Sequence, residues 1–284
     1  MRILLVQTGF IGDVVLSTAV ITNIKNIYPD AKLDILTTPA GGALLRSDKR
    51  LNSIIVYDKR GKDKGFFRQL LKNNHYDIVF SLHKSLRTSL LLFLSSIKIR
   101  YGFSEASLAF LYSKTVPRSD LPHDVLRNLA ILRAIGKQPD ELEQKLSLIY
   151  SEETKQKINS LYFSKKSTKY IAIAPGSVWA TKRWTIDGFA AVSKFYLDQE
   201  YTVILIGGAD DINRGKEIEK QLVNHPCSIN FLNSIGLHSL EESIAIVDQS
   251  DLLITNDSAP LHIASACGTK TVALFCATVP EFGY

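Results

Sequence analysis

Short apolar runs alternate with stretches of helical periodicity along the whole chain, and this alternation restricts the fold more than any single motif. Ile3 to Gln7 reads as a strand. A glycine-containing turn follows, then Leu16, Val20, Ile24 and Ile27 at helical spacing, ended by Pro29. The same reading predicts strands over 33–37, 53–57, 77–81 and 98–103. It predicts helices over 65–74, 84–96 and 124–135, the last closed by Gly136. The apolar run from Leu90 to Ile97 is expected to be the buried face of helix 84–96. After the polar stretch Ser164 to Thr168 the alternation restarts. Strands 170–174, 201–206, 228–232, 251–255 and 271–275 are separated by helices 186–197, 212–223, 239–247 and 259–267. Apolar strands joined by amphipathic helices form parallel sheets. Two such runs imply two Rossmann-like α/β domains, residues 1–163 and 164–284. Ligands then lie beyond the carboxyl ends of the strands, with a cleft between the domains as the expected site.

A chain of 284 residues holds two such domains comfortably. No apolar run reaches the roughly 18–20 residues that span a bilayer. Met1-Arg2 leads into a short apolar stretch that Gln7 interrupts, which is not the pattern of a signal peptide. Cys227, Cys267 and Cys276 form no CxxC pair and read as reduced core thiols, so a cytoplasmic location is expected. The net charge of +6 is concentrated in the first half, while the second half is slightly acidic. A basic first half is either a solvated face or the complement of an acidic partner, such as a phospholipid surface or a phosphorylated glycolipid. No aromatic-interleaved basic motif points to nucleic acid.

The stretch Thr255 to Phe275 carries the densest signal. A buried strand delivers Asn256-Asp257-Ser258 to its carboxyl end, and Ala259-Pro260-Leu261-His262 opens a helix with proline in its first turn. Backbone amides at a helix start suit an anionic phosphate. His262 lies one turn after Ser258 and either faces the same ligand or packs in the core. Earlier, strand one ends in Thr8-Gly9-Phe10-Ile11-Gly12-Asp13, a GxxG rather than the GxGxxG of a dinucleotide site. Asp13 is either a carboxylate at a helix start or a general base at a strand end. The second half opens on Pro175-Gly176-Ser177, with Thr181, Lys182 and Arg183 close behind. Ser177 and Thr181 can donate hydrogen bonds, and Lys182 supplies a point charge suited to phosphate or is simply solvated. Asp210, after Gly207-Gly208, can accept from ribose hydroxyls or cap a helix. His238 precedes a Ser239/Glu242 capping box, and its loop could line a base pocket. Among basic residues of the first half, His83, Lys84 and Arg87 follow a strand end, and His123 and Arg127 lie one turn apart.

Taken in order, these segments resemble the ADP-heptose:lipopolysaccharide heptosyltransferases, glycosyltransferase family nine. The matching pieces are Met1 to Leu4 with Gly9 to Asp13, His123 with Arg127-Asn128-Leu129, Pro175 to Ser177 with Thr181 to Trp184, and Asn256 to His262. The resemblance implies a GT-B architecture, with the acceptor on the first domain and the nucleotide sugar on the second. It implies inverting transfer from ADP-heptose to a lipopolysaccharide core or lipid A precursor, with Asp13 as the base on the acceptor hydroxyl. Ser177, Thr181, Lys182, the backbone of Ser258, Ala259, Pro260 and Leu261, and His262 would hold the diphosphate. Asp257 would contact the sugar, Asp210 the ribose, and the His238 loop would border adenine. Gly9, Gly12, His83, Lys84, Arg87, His123 and Arg127 would face the acceptor. No metal or other cofactor is implied, since no DxD pair is present. A protein of this kind would sit peripherally on the inner face of the inner membrane. Family members usually continue for tens of residues into a helix that returns to the first domain. A chain ending at Tyr284 is therefore expected to be short at its carboxyl end, which keeps a non-catalytic binding remnant as one other reading. A transferase for a different nucleotide sugar is another, because donor choice rests on a few contacts that the sequence does not resolve.

Overall fold

The computed structural model describes residues 1–58, 64–164 and 168–279. Residues 165–167, at the expected domain boundary, and residues 280–284, at the chain end, lie outside the described residues. The chain divides into two compact units, Met1–Ser147 and a second beginning at Leu148.

The first unit runs β1 (Arg2–Gln7), α1 (Ile11–Leu16), α2 (Thr18–Ile27), β2 (Lys32–Thr37), α3 (Pro39–Leu44), β3 (Ser53–Val56), α4 (Lys64–Asn73), β4 (Ile78–Ser81), α5 (Leu86–Leu94), β5 (Ile99–Phe103), β6 (Lys114–Val116) and α6 (Asp124–Leu129). Its parallel strands lie in the order β3-β2-β1-β4-β5-β6. β1 is central, with Leu5 opposite Ile35 on one side and Phe80 on the other. Residues Ile3 to Val6 are wholly buried, which is why this strand reads as a continuous apolar run rather than an alternating one. The order of connection reverses between β1 and β4. The loops leaving these two strands therefore part, and a crevice opens beyond their carboxyl ends.

The second unit runs α7 (Glu152–Tyr162), β7 (Tyr170–Ala174), α8 (Ile186–Asp198), β8 (Thr202–Leu205), α9 (Ile212–Leu222), β9 (Phe231–Asn233), α10 (Leu240–Gln249), β10 (Leu252–Asn256), α11 (Ala259–Cys267) and β11 (Thr271–Leu274). Its parallel strands are ordered β11-β10-β7-β8-β9, so the reversal here falls between β7 and β10. Among the described residues, no helix is long and apolar enough to cross a membrane.

Several local features depart from the expectations above. The units divide at Ser147/Leu148 rather than at 163/164, because α7 packs on the second unit. The Ser151 N–H donates to Glu241 at 2.7 Å, Lys157 pairs with Glu242 at 2.5 Å, and the Tyr162 hydroxyl meets His238 Nε2 at 2.5 Å. With Ile158 as its only buried side chain, α7 shows little apolar period. The helix read through Leu16 to Ile27 breaks at Ser17. The Ser17 and Thr18 hydroxyls bond back to the Val14 and Val15 carbonyls at 2.7 Å each. The helix expected over 124–135 is α6 followed by a 3-10 turn, Ala130–Ile135, which Gly136 ends with φ of 82°.

The largest correction concerns α5, whose apolar run divides between two faces. Leu92 and Ile97 are buried and Leu91 packs on the core beside Thr88 and Ser89, while Leu90, Phe93 and Leu94 are exposed. Cys276 is also exposed rather than a core thiol.

Candidate active site

The second unit builds its site where β7 and β10 part. β10 is buried to its end, so Asn256 and Asp257 emerge from the sheet with almost no solvent exposure. The Asn256 amide donates to the carbonyls of Pro175 at 2.9 Å and Gly176 at 3.3 Å, and its Oδ1 accepts from the Trp184 N–H at 2.9 Å. One side chain thereby ties together the two loops that flank the crevice. Asp257 Oδ2 lies 2.5 Å from Lys182 Nζ and accepts from the Thr278 hydroxyl at 2.7 Å. Asp257 is 3% exposed and Lys182 17%, so the pair is largely removed from water and neither charge can be deleted cheaply. Next to it Ser258 starts α11 with extended backbone and, among the described residues, no side-chain capping hydrogen bond. Its hydroxyl turns back to the Asn256 carbonyl at 3.3 Å. Pro260 has no N–H and the Leu261 N–H donates to the Ser258 carbonyl at 3.0 Å, so the Ala259 amide is the first-turn donor placed to meet an outside anion. His262 is buried one turn on.

The remaining residues of this half divide into near and far. Arg183 Nε donates to the Ser177 carbonyl at 2.7 Å and fixes the loop in which Ser177 and Lys182 sit. Thr181 is exposed on the 3-10 turn Ala180–Lys182. Asp210 is also exposed, whereas its neighbour Asp211 packs into the crevice. A Cβ on Gly176 would stand 2.1 Å from Asp211 Oδ2, and one on Gly207 3.2 Å from it. Burial pushes the Asp211 carboxyl up, against the pull of Arg214 and Arg183. The sequence reading singled out Asp210 and missed Asp211; Gly176 and Gly207, which leave the space, were the available signal. His238 faces α7, with Tyr162 on Nε2 and Glu242 3.6 Å from Nδ1, and burial pushes its pKa down. Its contacts are those of a packed structural histidine.

In the first unit a cavity of about 830 Å³ opens beyond the carboxyl ends of β1 to β4. Thr8, Gly9, Phe10 and Asp13 line one wall, Tyr57 and Asp58 another, His83, Lys84 and Ser85 a third, and Arg118, Asp124 and Asn128 close it. Asp13 stands in the first turn of α1, where Oδ2 accepts from the Phe10 N–H at 2.8 Å. The carboxylate folds over Gly9, where a Cβ would come within 2.5 Å of Oδ2. Gln7 secures this turn, accepting from the Gly9 N–H at 3.0 Å. Gly9, Asp13, His83 and Lys84 are thus brought together, whereas Gly12 and Arg87 are not among the lining residues. His123 Nδ1 caps α6 by accepting from the Val125 N–H at 3.1 Å, and Arg127 bonds the Leu121 carbonyl at 2.7 Å and Asp124 at 3.1 Å. These two residues hold the wall, while Arg118, unmarked in the sequence, reaches it. Arg118 is held by Asp124 at 2.9 Å and by Glu105, which accepts from the Arg118 N–H at 2.9 Å and the Ser119 N–H at 2.8 Å. Among the described residues, no group of three or more His, Cys, Asp and Glu is placed to hold a metal ion.

Two Rossmann-like units, each with a crevice at its own switch point, define the GT-B class of glycosyltransferases. The structure of E. coli ADP-heptose LPS heptosyltransferase II superposes with a TM-score of 0.87 at 25% identity, covering 99% of this chain and 87% of that one. E. coli lipopolysaccharide heptosyltransferase 3 is 28% identical, covering 95% of this chain and 82% of the relative. Salmonella typhimurium lipopolysaccharide heptosyltransferase 2 is 27% identical, with 99% and 84% covered. The profile of glycosyltransferase family 9 (heptosyltransferase) matches residues 65–283. The chain belongs to that family.

Proposed function

We propose that the protein transfers heptose from ADP-heptose, with inversion, onto the inner core of a lipopolysaccharide precursor carried at an anionic membrane surface. The observation that carries this reading is the buried Lys182–Asp257 pair beside the uncapped start of α11. A diphosphate brings negative charge next to Lys182 and the helix amides, and Asp257 can then turn from the lysine to the sugar hydroxyls. In the transfer the acceptor oxygen attacks the anomeric carbon as its proton passes to an Asp13 carboxylate oxygen. The bond from that carbon to the diphosphate breaks, and its electron pair leaves on ADP. Lys182 and the amides stabilise that leaving charge, so the reading assigns no metal or other cofactor. Ser177 and Thr181 would complete the diphosphate contacts and Asp210 or Asp211 the ribose contact. The Arg118, Lys84 and His83 wall suits an acceptor bearing phosphate or sugar acid groups.

The test incubates the full chain with ADP-heptose and a heptose-deficient core acceptor, with and without a chelator. Transfer that survives chelation and yields the inverted anomer is expected. A preference for uridine or guanosine sugars in a thermal-shift panel would overturn the donor assignment, and nucleotide binding without turnover would overturn catalysis.

A further inference from the structure

Helix α5 is apolar on two faces. Along Leu86–Leu94, Thr88, Ser89 and Leu92 are buried and Leu91 packs against the core beside them. The buried hydroxyls are satisfied locally: Thr88 Oγ1 meets His83 Nδ1 at 3.0 Å, and the Ser89 hydroxyl donates to the Ser107 carbonyl at 2.6 Å. Leu86, Leu90, Phe93 and Leu94 recur at the spacing of a single helix face, and that face is between 39% and 52% exposed. The 3-10 turn Ala109–Leu111 packs beside α5 and adds Phe110, 80% exposed, to the same region. Contiguous exposed apolar surface of this kind marks a partner or a membrane.

The surrounding charge selects between them. Lys84, Arg87, Lys98 and Arg100 flank the face, Arg100 lying over the Phe93 ring at 5.6 Å, and no Asp or Glu occurs between Asp77 and Glu105. An apolar helical face with basic flanks complements an anionic lipid interface, where leucine and phenylalanine enter the acyl boundary and lysine and arginine meet the headgroups. The position of the helix agrees, because Ser85 caps α5 and, with Lys84, lines the first-unit cavity. A lipid-borne acceptor held at this face would therefore have its head at the cavity mouth.

We propose that the outward face of α5, with Phe110, is the surface by which the protein docks on an anionic bilayer. The proposal rests on the membrane-borne acceptor of the reading above and names the surface that reading lacks. Its test uses vesicles free of acceptor and donor, so it can fail without the transfer reaction failing, and the reverse. The full chain is sedimented with vesicles of phosphatidylethanolamine and phosphatidylglycerol, and with vesicles of phosphatidylcholine alone. The wild type is expected to pellet with the anionic vesicles. L90E/F93E should lower that partition by at least about tenfold, since it removes apolar insertion and adds repulsion, while its unfolding midpoint stays unchanged. If that variant folds poorly, Lys98→Glu carries the test with an expected loss of about fivefold or more. Equal pelleting of wild type and folded variant would overturn the proposal. So would wild-type indifference to anionic lipid, or a wild-type dimer that the substitutions convert to monomers with no vesicle binding by either form.

Discussion

The turn after β4 and the turn after β10 occupy the same place in their sheets, each leaving the strand across the switch point from the central one. They treat the following helix in opposite ways. After β4, Ser85 Oγ accepts from the Thr88 N–H at 3.3 Å, and Thr88 Oγ1 in turn meets His83. The start of α5 is closed by its own side chains, so the polar groups offered to the cavity in that half are the side chains that line it. After β10, Ser258 points back to its own strand and, among the described residues, the start of α11 has no side-chain cap. What that turn offers instead is backbone amides and a lysine paired with a buried aspartate, the groups to which the proposed function gives the diphosphate. On the proposed function, one scaffold position would serve an acceptor of varied shape in one half and a fixed anion in the other.

The largest effect should come from Asp13, because the two halves can each bind without reacting. Asp13→Asn is expected to lower transfer by about 10²–10⁴-fold, the span of general base catalysis, while calorimetric titration with ADP stays near wild type. An undiminished rate would remove Asp13 from the chemistry. If ADP affinity collapsed as well, the division of labour between the halves would be wrong.

The donor half should respond to loss of either partner of the buried pair. Asp257→Ala leaves Lys182 without its carboxylate and should lower stability by about 3–5 kcal/mol, with transfer abolished. Lys182→Ala should weaken ADP binding, and the double variant should recover part of the stability that Asp257→Ala loses. Denaturant melts of the three variants check this; strictly additive losses would show that the pair is not coupled.

A smaller effect tests the comparison itself. Ser85→Ala removes a working cap and should cost about 1 kcal/mol. Ser258→Ala removes none and should stay within about 0.5 kcal/mol, its effect appearing in ADP affinity instead. Equal losses from the two serines would erase the distinction between the turns.

Most of the sheet framework was legible in the sequence, because buried parallel strands write uninterrupted apolar runs and the helices between them keep a 3.6-residue period. Asn256 to His262 and Gly9 to Asp13 were legible for the same reason, lying at strand ends that the pattern locates. What escaped depends on contacts between distant residues. Hydrophobicity alone assigns the whole run Leu90 to Ile97 to the core, yet Ser107 and Tyr112, reached only through the fold, draw Ser89 inward beside Leu92 and leave Leu90, Phe93 and Leu94 outside. Arg118 carries no local mark, since Glu105 and Asp124 place it. Asp210 and Asp211 are adjacent in sequence, and only the space left by Gly176 separates their roles. The first unit's end was obscured because α7 is held by polar contacts rather than an apolar stripe.

Acid titration provides the finest test of the two halves. Glu105 braces the Arg118 loop at the first-unit cavity, and Glu242 braces the start of α10 in the second unit. Burial alone would raise both carboxyls. The Arg118 and Ser119 amides outweigh it for Glu105, and Lys157 with the Ser239 N–H outweighs it for Glu242, so each is held down at about 2 against an ordinary 4.5. A carboxyl lowered in the folded state contributes stability that is complete above about 4.5 and is lost as the pH falls through about 2. Unfolding midpoints should therefore decline across that window, and Glu105→Gln and Glu242→Gln should each flatten the decline by lowering stability at neutral pH. Glu242→Gln keeps an acceptor for the Ser239 N–H, so its loss isolates the Lys157 pair. Glu105→Ala, which removes the oxygen that accepts both the Arg118 and Ser119 N–H groups, should in addition raise the apparent KM for the acceptor by releasing the loop that presents Arg118, whereas Glu242→Gln should leave that KM unchanged. A parallel shift of acceptor KM in both variants would mean that the brace at Glu105 stabilises the fold without positioning the cavity wall.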